Sequence, residues 1–202
     1  CQTVYRWLLA SGCPPHSLVV MGDSAGGCLA LVTLTRARQA HDPQPACAVL
    51  LSPAVDCTFD SHSMSDNEGR DPMFRLSDLL VLRRQYVPSP YLYTHPEVSP
   101  LFADFDGLAP LLLQVGSNEM LRDEAIRTTN KAHAAGVDVE LELWPDMPHV
   151  FQVAPFIPES GRALHHIADF VAARTGWVLA NMDGAADATA QPQPVTGPAA
   201  LP

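Results

Sequence analysis

Short apolar runs alternate with longer stretches of helical spacing along most of the 202-residue chain. Residues 18–21, 46–51 and 110–115 are continuous apolar segments too short to be helices, which predicts strands buried on both faces. Residues 137–144 follow a different rule. Val137, Val139, Leu141 and Leu143 alternate with Asp138, Glu140 and Glu142, the pattern of a half-exposed strand near a sheet edge. Between these runs lie predicted helices. Residues 3–10 end at Ser11-Gly12, residues 25–40 stop at His41-Asp42-Pro43, and residues 123–135 close on Gly136. Residues 76–86 repeat leucine at helical spacing, and residues 162–173 carry a stripe of Leu164, Ile167, Ala168 and Val171. The polar, turn-rich stretch 56–71 is predicted to be an excursion from the sheet. The class is α/β, with a mostly parallel sheet and helices on both faces.

The periodicity fails beyond Gly176. From 183 to 202 Ala, Pro, Gly, Gln and Thr dominate, which predicts a disordered tail behind a single domain spanning 1–182. An apolar fraction of 47% and a charged fraction of 17% suit one globular domain. The net charge of −10, with only 12 Lys and Arg, argues against a nucleic-acid partner. No apolar run approaches the roughly 20 residues of a membrane span. Cys1, Cys13, Cys28, Cys47 and Cys57 form no CxxC pair, so they are expected to be buried free thiols in a reducing, cytoplasmic setting, without a metal site.

One segment carries chemistry. A serine hydroxyl becomes a useful nucleophile only when held at an exposed point, beside a base and near donors for an oxyanion. Gly22-Asp23-Ser24-Ala25-Gly26 lies between a predicted strand and a predicted helix, the context in which such a pentapeptide forms a nucleophile elbow. Gly22 and Gly26 leave room for the strained turn, Asp23 braces it, and the Ala25 amide at the helix start faces the oxyanion. A base and an orienting acid should follow, each in a loop after a later strand. His149, between the alternating strand and the last helix, fits the base. His133, His165 and His166 lie inside helices, His16 precedes the serine, and His41, His62 and His95 follow no late strand. For the acid, Glu119 lies nearest the end of the 110–115 strand. Asp123, about one turn into a helix where an acid stabilises the dipole, is the rival, and Asp146 a second.

With these residues in hand, the chain resembles the bacterial hormone-sensitive-lipase-like carboxylesterases, a branch of the α/β-hydrolases. The resemblance runs over Gly22 to Gly27, Leu51-Ser52-Pro53 with Asp56, Asp71-Pro72, Val98-Ser99-Pro100-Leu101, Gln114-Val115-Gly116-Ser117 with Glu119, and His149-Val150-Phe151-Gln152. It implies hydrolysis of small carboxylic esters with short acyl chains, by a Ser-acid-His triad without metal or cofactor, in proteins that often pair through the last strand. The family's His-Gly-Gly-rich loop, which completes the oxyanion hole, is not found upstream of Ser24. The chain is therefore expected to be a C-terminal portion of such an enzyme, weak or inactive alone, with residues 18–21 left as an apolar sheet edge prone to aggregation. The same triad serves amidases and peptidases, and a non-catalytic receptor or a truncated remnant is the other alternative. Phe59, Met73, Phe74 and Phe151 are within reach of the site, with core or surface packing the expected role of each.

Overall fold

The computed structural model describes residues 1–178 and 193–194. Its elements in chain order are α1 (Gln2–Ala10), β1 (Val19–Asp23), α2 (Ala25–Gln39), β2 (Cys47–Leu51), α3 (Ser63–Asp66), α4 (Leu76–Tyr86), β3 (Leu111–Gly116), α5 (Arg122–Ala134), β4 (Val139–Trp144), α6 (Pro158–Thr175) and β5 (Gln193–Pro194). The sheet has the order β1-β2-β3-β4-β5, parallel through β4 and antiparallel at β5. Each parallel step is a crossover through helix or loop, as βαβ connections require.

The continuous apolar runs make sense once both faces are covered. Ala48 and Leu50 of β2, with Leu111 and Leu113 of β3, point to the layer of α2 and α5, where Leu31, Leu34, Ala125 and Ile126 pack. Cys47, Val49 and Leu112 point the other way, to Ile167, Phe170 and Val171 of α6. Leu31, Leu50, Leu111 and Leu113 are wholly buried, each worth about 1.5–3 kcal/mol of transfer free energy. Among the described residues β1 pairs only with β2, and Met21 is half exposed.

Several expectations change in detail. The buried stripe of α6 is Ala163, Ile167, Phe170 and Val171, while Leu164 is exposed, because the helix is rotated to meet β2 and β3. Glu142, assigned to a solvent face, is buried under α6. Its carboxylate accepts from Gln114 Nε2 at 2.9 Å and Trp144 Nε1 at 3.1 Å and meets His166 Nδ1 at 3.1 Å. Burial raises its pKa, against the pull of His166 and these donors. Of the cysteines, Cys28 and Cys47 are buried, Cys13 and Cys57 half-buried, and Cys1 exposed. The tail expected at 183–202 lies outside the described residues except for β5, which occupies the β4 edge at Glu142 and Leu143. No described helix is long and apolar enough to cross a membrane.

Candidate active site

The elbow is a strained turn held by backbone. Ser24 has φ 52° and ψ −118°, a backbone conformation that residues other than glycine rarely adopt. Such strain costs on the order of 1–3 kcal/mol and persists only where the surroundings over-determine it. Here they do. Ser24 N–H donates to Leu51 O at 2.8 Å, Ala54 N–H donates back to Ser24 O at 3.0 Å, and Gly27 N–H meets the same oxygen at 3.0 Å. A Cβ on Gly22 would lie 2.1 Å from Gly26 O, and one on Gly27 would lie 2.8 Å from Pro53 Cβ, whereas one on Gly26 would meet nothing closer than 3.7 Å. The glycines this turn needs are thus Gly22 and Gly27, a correction to the expected pair of Gly22 and Gly26. Asp23 is exposed and its carboxylate holds no hydrogen bond among the described residues; it supports the elbow through its backbone, paired with Leu51. Ala25 opens α2, so its N–H has no acceptor within the helix.

The candidate acid and base lie deeper. His149 is 3% exposed and Glu119 is fully buried, and their Nδ1 and Oε2 are 2.9 Å apart. Glu119 Oε1 accepts from Ser52 Oγ at 2.7 Å and from Gly116 N–H at 2.5 Å. One oxygen therefore takes two donors, and the other is turned to the imidazole. The rivals are occupied or exposed. Asp123 binds Ser63 N–H and Arg122 Nε, each at 2.9 Å, and Asp146 is exposed. Ser24 Oγ forms no side-chain hydrogen bond among the described residues; catalytic contacts are often long before substrate binds.

Ser52 is the residue that sequence reasoning passed over as part of a motif. Besides donating to Glu119 it accepts Val150 N–H at 3.1 Å, and Val150 stands at φ 50°, unusual for a β-branched residue. The segment 51–54 therefore joins both halves: Leu51 and Ala54 hold Ser24, and Ser52 holds Glu119 and the turn after His149. A serine after an apolar strand gives no signal of this kind alone. The excursion at 56–71 has a parallel duty. Asn67 Nδ2 donates to Ser117 O and Glu119 O, and Asp71 Oδ2 accepts Met120 N–H, fastening the acid loop from outside.

A cavity of about 240 Å³ opens at Ser24, lined by Ala25, Cys28, Cys57, Phe59, Phe74 and Leu82 among others. Phe74 also sets its edge against His149, with centroids 4.8 Å apart. Met73 is exposed instead, and Phe151 packs on Trp144 in the core. Arg83 braces the cavity wall, donating to Cys57 O and Thr58 O and stacking on Phe59 and Tyr93. Behind it Glu124 is fully buried and accepts Val55 and Asp56 N–H, while Asp56 pairs with Arg127 at 2.6 Å. Burial, and then the charge of Asp56, pushes the Glu124 carboxyl up to about 8.

A family model described as the alpha/beta hydrolase fold matches residues 1–153. An acetyl-hydrolase of Streptomyces hygroscopicus is 39% identical over 173 residues, covering 85% of this chain and 58% of that protein. An esterase of Acinetobacter venetianus is 38% identical over 168 residues, covering 83% and 55%. Among solved structures, an esterase from the bacterial hormone-sensitive lipase family superposes with a TM-score of 0.82 at 42% identity, covering 85% of this chain and 58% of that one. The chain thus spans between half and three fifths of the length of these relatives.

Proposed function

The chain belongs to the α/β-hydrolase family, and on that premise we propose that it hydrolyses small carboxylic esters through an acyl-enzyme on Ser24. The observation that carries this reading is the Glu119–His149 pair, with one carboxylate oxygen saturated and the other 2.9 Å from Nδ1. A carboxylate at Nδ1 holds the tautomer that leaves Nε2 free to accept a proton. His149 takes the proton of Ser24 as its oxygen attacks the ester carbonyl. The Ala25 amide faces the developing oxyanion, and the imidazolium, stabilised by Glu119, returns the proton to the leaving alcohol. Water then repeats the path to release the acid.

The names of the relatives, an acetyl-hydrolase and an esterase, favour esters over amides. With the Ala25 amide as the one identified donor among the described residues, turnover is expected about 10²–10³-fold below that of a two-donor site. Hydrolysis of p-nitrophenyl acetate and butyrate, beside the matching anilides, tests the proposal. Ester turnover that disappears in Ser24→Ala supports it. Turnover unchanged in Ser24→Ala overturns it, and a preference for the anilides replaces it with the amidase reading.

A further inference from the structure

Two thiols in the Ser24 cavity have no part in this mechanism. Cys28 lies one turn beyond Ser24 on α2, and Cys57 lies in the loop after β2; both line the cavity. Cys28 Sγ is 3.7 Å and Cys57 Sγ 3.8 Å from the same acceptor, Val98 O. One carbonyl oxygen has two lone pairs and serves both S–H groups, so the sulfurs converge from separate elements and stand no farther apart than the sum of those distances. The other cysteines share no such arrangement: Cys47 is buried under α6, and Cys1 and Cys13 lie near the N-terminus.

We propose that Cys28 and Cys57 form a dithiol capture site, which takes a trivalent thiophilic acceptor of the organoarsenical class and thereby closes the Ser24 cavity. The capture needs only the two thiols; the closing of a substrate cavity rests on the esterase reading above. In the step itself two As–S bonds form as the arsenic–oxygen bonds of the oxide break. The two thiol protons leave with that oxygen as water, arsenic stays trivalent, and no electrons are transferred. Space is sufficient, since an engineered apolar cavity of about 150 Å³ accepts benzene and this one has about 240 Å³.

The surroundings separate this chemistry from ordinary alkylation. Burial, followed by the nearness of Cys57 and Glu124, pushes the Cys28 thiol up to about 12, and burial also raises Cys57. Reagents that need a thiolate, such as iodoacetamide, should react slowly at neutral pH. An acceptor that collects two sulfurs gains from their convergence instead.

The experiment uses the full chain with Cys1→Ser and Cys13→Ser, treated with phenylarsine oxide, desalted, and read by intact mass and by thiol titration after denaturation. One retained adduct, with two of the three remaining thiols lost and both restored by 2,3-dimercaptopropanol, is the expected result. Cys28→Ala and Cys57→Ala, tested separately, should each weaken retention by about 10²-fold or more, as when a bivalent ligand loses one arm. Cys47→Ala should retain the adduct. No adduct in the parent, or one that survives in both single variants, overturns the capture site. Ester turnover should fall in step with adduct formation, and turnover that persists at full occupancy overturns the closure. Because mass reports capture without any turnover, failure of the esterase reading would show separately, as a chain that binds the arsenical and hydrolyses no ester before treatment.

Discussion

The Glu119–His149 half of the candidate site and the Ser24 half are built on different principles. Glu119 and His149 are almost wholly excluded from solvent; Glu119 accepts from Ser52 Oγ just after β2, from the Gly116 N–H at the end of β3 and, at its carbonyl, from Asn67 Nδ2 of the excursion, and its second carboxylate oxygen meets His149. Ser24, half-buried, and Ala25, exposed, stand beside the sheet edge β1 and are held by backbone hydrogen bonds and close glycine contacts. The deep half is sensitive to lost partners, since a buried polar group left unsatisfied carries its full desolvation cost. The open half is sensitive to bulk and backbone shape. The two meet at 51–54, so damage there should reach both.

The largest effect tests the deep half directly. Glu119→Gln keeps the shape but turns a charge-stabilising acceptor into a neutral amide beside His149, and kcat should fall by about 10⁴, with KM little changed. A loss below tenfold would mean that Glu119 does not orient the base. Ser52→Ala comes next: it removes a donor from Glu119 Oε1 and the acceptor of Val150 N–H, and should lower stability by about 1–3 kcal/mol. Thermal unfolding reads that loss, and a fall in kcat beyond any fall in the folded fraction reads its positioning role.

Glu124 probes a buried ionisable group next to the cavity. Its folded value of about 8 exceeds the ordinary 4.5, so the folded state keeps a proton that the unfolded chain has released between those limits. Stability should therefore fall as pH rises across that window, by at most about 1.4 kcal/mol per pH unit from this group. Glu124→Gln, which keeps the acceptor for Val55 and Asp56 N–H, should flatten the slope in urea unfolding from pH 5 to 8. An unchanged slope removes Glu124 as its source. The open half supplies the smallest effect and, as its contrast, a large one. Gly26→Ala, with no contact closer than 3.7 Å, should stay within about 1 kcal/mol of the parent, while Gly22→Ala, aimed at Gly26 O, should prevent a stable fold. Equal behaviour of the two in thermal melts would break the claim that steric contact governs this half.

What local pattern could determine, it did. Continuous apolar runs gave β2 and β3 because a strand covered on both faces has no polar side, and the leucine spacing of residues 76–86 gave α4 with the same limits. The order of serine, acid and histidine after successive strands pointed to Ser24, Glu119 and His149 as candidates, and of these the structure brings Glu119 and His149 within hydrogen-bond distance. Tertiary structure decided the rest. Glu142 is buried because α6 lies over it, Gly27 rather than Gly26 is constrained because Pro53 returns from another strand, and Ser52 touches two residues 67 and 98 positions away. Cys28 and Cys57 share Val98 O on the same ground. Such contacts depend on which elements become neighbours, and periodicity within a single element carries no record of its neighbours.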